Sequence, residues 1–430
     1  MLNGFIDFFT SLRLTVVCLC LAIVLVFVGT LEQVHLGLYA VQSEFFRSFL
    51  IYWTPSGTNW RIPVYPGGWL IGMVLLMNLL AAHIKRFKVE RRKIGILLIH
   101  GGLILLLVGQ FVTEIFQVES QMIIEVGKTK NYSEDGRKNE LAVIDVTDPN
   151  SDHVVAIPES MVAKEGEIRT PELPFALRVE KYFPNSVAAG PMQADADTLK
   201  AKQGIGQRLF FNPAPITRRM DDENEPVTLV QAVSDKGPIG EWTVSTWFTR
   251  FPRFEELEQG VGGMFPGLSL TSPQSFKFQG RTYQIALRPV RYYEPFSITL
   301  LAFNHDIYPG TDIPKNFSSK VHLVDPRTGV HQDNLIYMNN PLRYKGETFF
   351  QASWIPGDRG TILQVVRNPA ALTPYVACLL VALGLLTQFL THLVKFARKR
   401  RQQPKTAAAR GAAGAPLMEP VLANGKRSRL

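Results

Sequence analysis

Hydrophobic residues are unevenly spread along this chain. They gather into four unbroken stretches, and between the third and the fourth they alternate with polar residues. The third stretch, Ile94 to Val112 (IGILLIHGGLILLLVGQFV), runs for nineteen residues with His100 as its only ionisable side chain. At about 1.5 Å per residue it is roughly 28 Å long, enough to cross the hydrocarbon of a bilayer as a helix. Similar stretches at about 14–31, 67–84 and 369–395 predict three more spans. From Gln117 to Asn368 the period changes to two, with Gly, Pro and Asp between short apolar runs. MIIEV, LAVIDV, HVVAI, FALRVEKY, VTLVQAV, EWTVSTWF, SFKFQG, TYQIALRPV, SITLLAF, KVHLV, LIYM, ETFFQASW and TILQVV all read as strands.

The pattern predicts an integral membrane protein with four transmembrane helices, three N-terminal and one C-terminal. It also predicts a large, mainly antiparallel β domain outside the cytoplasm, a sandwich or distorted barrel. Residues 1–116 form the N-terminal membrane region, with an outer loop over 32–66. Residues 117–368 form the β domain, 369–395 the fourth span, and 396–430 a basic, Ala/Gly/Pro-rich disordered tail. In the outer loop, VQSEFFRSFLIYW carries Phe45, Phe46, Phe49, Tyr52 and Trp53. It reads as an interfacial helix in the aromatic belt, or as a helix packed on the external domain. Asn185 to Pro226 is less regular, a long loop or a small helical insertion around Asp195 to Lys202. The first span resembles a signal peptide in position, but it is long and lacks a small-x-small cleavage site, so it reads as an uncleaved anchor.

Charge sets the orientation. The chain carries a net +9, yet Lys85 to Lys93 alone holds +5 and Lys395 to Leu430 holds +9, leaving −5 elsewhere. Basicity confined to segments beside the spans is positive-inside bias and excludes a nucleic-acid footprint. It places the loop after the second span and the tail in the cytoplasm, and the β domain on the other side. The three cysteines, Cys18, Cys20 and Cys378, lie in apolar stretches, so the β domain relies on packing rather than disulfides.

The chain has no GxSxG, HExxH or P-loop signature, and no CxxCH for covalent haem. Catalytic residues and metal-ligand sets are therefore not assigned. Among the eight histidines, His100 stands out, about 10 Å inside the cytoplasmic edge of its span. An ionisable ring there is costly and marks a functional site by default. Gly95, Gly102 and Gly109 recur every seven residues and form a groove suited to another helix. His100 lies about 200° from Gly102 and so faces away from that groove. His83 and His392 sit at similar depth near the inner ends of the second and fourth spans, and two neutral imidazoles there could bind a haem iron axially. Outside, His322 and His331 flank the turn DPRTG and would approach each other across a hairpin, without an evident third ligand. The Pro-Gly turn after His305 explains its surroundings by itself.

Taken together, TSLRLTVVCLCLAIVLVFVGTLEQ, HGGLILLLVGQF, NHDIYPGTDIPKNFSS and NNPLRYKGETFFQASW resemble the ResB/CcsB family of system II cytochrome c biogenesis proteins. Order and spacing carry the resemblance over nearly the whole chain, although residues 185–274 contribute little. It implies a multi-pass protein of the bacterial inner (cytoplasmic) membrane, working beside a CcsA/ResC-type partner with a Trp-rich external haem-binding motif. Such a pair exports haem, keeps its iron reduced and supports its attachment to apocytochrome c. The six tryptophans here form no such motif. By resemblance His100 matches the family's intramembrane haem ligand, with His83 and His392 as further cofactor-binding candidates. The implied cofactor is haem b, held transiently and non-covalently; the implied partners include apocytochrome c, a thiol-reducing thioredoxin-like protein and membrane lipid. The chain would be a non-catalytic or co-catalytic subunit of a cytochrome c haem lyase. Two other readings stay open: a scaffold that binds apocytochrome without haem, and a free-standing b-haem electron carrier using His100 with His83 or His392.

Overall fold

The computed structural model describes residues 8–55, 58, 60–86, 93–189, 198–217, 223–255, 273–310 and 314–402. The tail beyond Gln402 and the start of the expected insertion, Asp195 to Asp197, fall outside them. Among the described residues, four helices are long and apolar enough to cross a membrane: α1 (Leu12–Leu36), α2 (Gly68–Arg86), α3 (Ile94–Phe116) and α4 (Thr373–Gln402). The chain separates into two compact units, one of residues 1–14, 76–110 and 372–430, the other of 15–75 and 111–371.

In the first unit, α4 packs on the glycine face of α3. Gly95, Gly102 and Gly109 are all buried. A Cβ at Gly102 would sit 2.8 Å from the Ala377 carbonyl oxygen, and one at Gly95 would sit 2.9 Å from the Gln388 nitrogen. Gly384 answers from α4, where a Cβ would come within 2.7 Å of the Gly95 carbonyl. Only hydrogen fits at these positions, so the two backbones approach closely, as small-residue seams allow. α4 continues through Phe396–Arg401, which the sequence pattern assigns to a disordered tail. Cations in the last turns of a helix are favoured by its dipole, which explains the extension. On α2, buried Asn78 donates to the carbonyls of Phe9 at 2.7 Å and Ser11 at 3.1 Å.

The second unit is mostly antiparallel β. Its strands, after the hairpin β1 (Leu50–Trp53) and β2 (Ile62–Pro66), begin with β3 (Val118–Glu125), β4 (Thr129–Asp145), β5 (His153–Pro158) and β6 (Gly166–Ile168). They continue with β7 (Ala176–Phe183), β8 (Ser186–Ala189), β9 (Phe210–Pro213), β10 (Val227–Ser234), β11 (Gly237–Ser245) and β12 (Gln274–Phe278). The last are β13 (Arg281–Ile307), β14 (Pro314–Asp325), β15 (Val330–Tyr337), β16 (Leu342–Tyr344), β17 (Glu347–Ile355) and β18 (Gly360–Arg367). One large sheet runs β15-β14-β13-β4-β3-β18-β17-β16, with β12 on β13 and β5 on β4; a second runs β11-β10-β7-β6.

Two cores result. Leu141, Ile157, Ile285 and Leu287 of the large sheet pack on Leu177, Val230 and Trp242 of the small one. Further along the same long strands, Ile298 and Leu300 meet Ile124, Val321, Phe349 and Leu363, so the large sheet closes upon itself. Between the cores, β4 and β13 exchange charges across the ladder: Arg291 with Glu134 and Arg288 with Glu140, each at 2.9 Å. Pro289 and Pro295 lie within β13, where bulges absorb the missing donors and the strand continues.

The segment read as an interfacial helix is helical only over 38–46, then turns into β1. Two of its phenylalanines are packed, Phe45 buried and Phe46 against Gly29, while Phe49 stays half exposed with its edge on Trp69 at 5.7 Å. The described end of the expected insertion is extended, with Leu199 bridged to Phe211.

Candidate functional site

α3 is a two-faced helix. Its glycine face is covered by α4, so His100, nearly opposite, is left for another neighbour. That neighbour is His83, three residues from the end of α2. The two rings lie 5.0 Å apart between centroids with a 50° tilt, and both residues are half-buried. Of the three candidate histidines, these two are brought together. His392 is exposed on α4 and takes a hydrogen bond from the Gln388 amide at 2.9 Å, one turn earlier.

The spacing constrains what the pair can hold. Two imidazoles on opposite sides of one metal, each about 2 Å from it, have ring centres about 6 Å apart. At 5.0 Å, His83 and His100 are too close to clasp a haem iron between them. Their donor set does fit an iron bound by one ring, with the other packed beside it as an orienting neighbour. One axial position would then be filled from outside this pair.

A second cluster joins the two external motifs. His305 near the end of β13 faces Phe317 across the ladder, and the Trp354 ring stands 4.5 Å from the imidazole. Phe317 and Trp354 are themselves 5.3 Å apart. His305 Nδ1 lies 3.0 Å from the Asp358 carboxylate, an arrangement that assigns the proton to Nδ1. The side chain is 7% exposed, and its Nε2 finds no hydrogen-bond partner among the described residues. On the β14–β15 hairpin, His322 Nδ1 donates to the Asp333 carboxylate at 2.7 Å, and its ring is 6.1 Å from that of His331. Among the described residues no three His, Cys, Asp or Glu side chains converge as metal ligands.

Residues 271–362, which carry the His305 cluster, match the model of the ResB-like family. A second similarity is to Protein NrfI of Wolinella succinogenes, 40% identical over 102 residues. Those residues are 24% of this chain and 11% of the NrfI protein, so the match spans about a tenth of that relative's length.

The His305, Phe317 and Trp354 cluster has its signal in two stretches far apart in sequence, NHDIYPGTDIPKNFSS and ETFFQASW, which only the folded sheet brings together.

Proposed function

We propose that this chain is a haem-handling subunit in cytochrome c biogenesis. The observation that carries the reading is the His83–His100 pair, two imidazoles in contact between two predominantly apolar helices. The ResB-like match supports the same process. Haem, when bound, supplies an iron that accepts an imidazole lone pair and changes between two oxidation states. His100 provides that lone pair, and His83 fixes the orientation of the His100 ring. The surrounding Ile and Leu side chains exclude water. Because the two rings stand too close to hold one iron between them, His100 would hold the haem with His83 beside it, and a CcsA/ResC-type partner in the same membrane would complete the site. This disfavours a free-standing b-haem carrier built on these two residues.

The protein lies in the bacterial inner membrane with its basic segments inside and its sheet domain outside, where apocytochrome c is presented with its thiols reduced. The chain is the haem-delivering half of the synthase, and its partner carries the external haem site. An absorption spectrum of the chain purified alone, and again with a CcsA/ResC-type partner, tests this. A haem band that needs the partner supports the synthase reading. A full bis-histidine spectrum from the chain alone indicates a carrier, and no haem in either preparation indicates a scaffold.

A further inference from the structure

We propose that the β1–β2 hairpin is an interfacial anchor that lies in the headgroup layer of a lipid surface, with Arg61 on lipid phosphate. The inference rests on reading the four apolar helices as membrane spans. The hairpin is a two-stranded sheet on its own, paired from Leu50 with Pro66 to Trp53 with Ile62. A lone hairpin is only marginally stable in water and needs an apolar face covered. Here consecutive side chains, which point to opposite faces, are both open: Tyr52 is 44% exposed and Trp53 58%. Ile62 and Val64 are exposed as well, and Trp60 at the far end is 74% exposed.

Composition narrows what covers these residues. No acidic residue occurs between Glu44 and Glu90, and the hairpin's only charge is Arg61, whose guanidinium stands 4.8 Å over the Tyr52 ring. Trp and Tyr favour the boundary where one edge of the ring is dry and the other wet, and a guanidinium matches phosphate with paired donors. The hairpin is also fastened to apolar helices. The Tyr65 hydroxyl donates to the Leu21 carbonyl of α1 at 3.1 Å, and Gly67, before α2, donates to the Phe49 carbonyl at 2.9 Å. Its two outer edges keep unpaired N–H and C=O groups, which hydrocarbon cannot satisfy but headgroups and water can. The hairpin therefore belongs in the boundary layer, neither deeper nor in bulk water.

The test uses the full chain with its three cysteines replaced by alanine, in vesicles of phosphatidylethanolamine and phosphatidylglycerol. Nitroxides are placed singly at Thr58→Cys and Val64→Cys, with Phe27→Cys on α1 and Leu335→Cys on β15 for comparison. Collision with oxygen reports lipid, and collision with a water-soluble nickel chelate reports solvent. The expected result is oxygen contact at Thr58 and Val64, with nickel collision lowered about twofold from Leu335. Hairpin labels that behave like Leu335, while Phe27 reads as lipid, overturn the proposal and leave the membrane reading intact. Labels reached by neither collider mean that a protein face covers the hairpin, which also overturns it. A Phe27 label that reads as water defeats the membrane reading and the proposal with it.

Discussion

Adding one methyl group at Gly102 should separate α3 from α4, whereas the same change at Gly101 should not. A Cβ at Gly102 would lie 2.6 Å from Val381 Cγ2, 2.8 Å from the Ala377 oxygen and 3.2 Å from the Val381 nitrogen. Ordinary contact between such atoms needs about 3.5 Å, so the backbone of α4 must retreat by about 0.7 Å. The methyl of Val381 can rotate away, but the Ala377 carbonyl cannot, because it belongs to the helix itself. Overpacking of this kind costs about 1–3 kcal/mol. At Gly101 a Cβ meets nothing within 4 Å, and alanine is the better helix former by about 1 kcal/mol. Both variants share the gain in helix propensity, so their separation is the overpacking cost alone, about 1–3 kcal/mol. Titration of the detergent-solubilised chain with dodecyl sulfate, followed by far-ultraviolet circular dichroism, measures it. Equal midpoints for Gly101→Ala and Gly102→Ala would refute the close seam and the outward orientation of His100 that follows from it.

Other changes should act on the sheet domain. Glu294, with a side chain 7% exposed, shares Arg367 with Glu347, and burial followed by the Glu347 carboxylate pushes its pKa up to about 7 from 4.5. The folded form then holds a proton between these values that the unfolded chain has released. Stability falls as pH rises through that window, and below pH 4.5 the effect vanishes. Glu294→Gln should therefore gain about 3 kcal/mol at pH 8 and nothing at pH 4, read from thermal unfolding of the sheet at both pH values. Phe317→Ala removes a ring 9% exposed from the His305–Trp354 cluster and should destabilise the domain by about 3 kcal/mol. Phe350→Ala, on an open position of β17, should cost less than about 1 kcal/mol in the same melting assay.

The apolar stretches were legible because bilayer thickness and side-chain hydropathy leave few alternatives for nineteen uncharged positions. The glycine spacing announced a close helix contact, but not that α4 would fill it, since helix pairing depends on loops and rotations that periodicity does not encode. His83 was legible as a depth neighbour of His100, not as its contact. The first half of β4, TKNYSEDGRKNE, was not read as a strand because charge in a short run usually marks a loop. In the sheet, several of those charges have partners on β13. The spacing of Phe45, Phe46, Phe49, Tyr52 and Trp53 mimics a helical face. The chain nevertheless leaves the helix after Phe46, and the last two rings alternate across a strand. The β13–β14 turn accounted for Gly310 and Pro309 in sequence, while the partners of His305 come from β14 and β17.

The most direct test of the account is the haem content of His100→Ala purified with its partner. Removing a polar ring from an apolar helix eases insertion, and a neutral histidine costs less than the roughly 2.5–3.5 kcal/mol charged residues incur at a helix centre on insertion scales. The variant should therefore accumulate in the membrane and retain its partner. It should also lose the haem absorption band and fail to mature cytochrome c, and added imidazole should restore part of the band by refilling the vacated position. A haem spectrum and cytochrome yield equal to the parent's at equal protein level would contradict the assignment, and His100 would then be a packing residue beside His83.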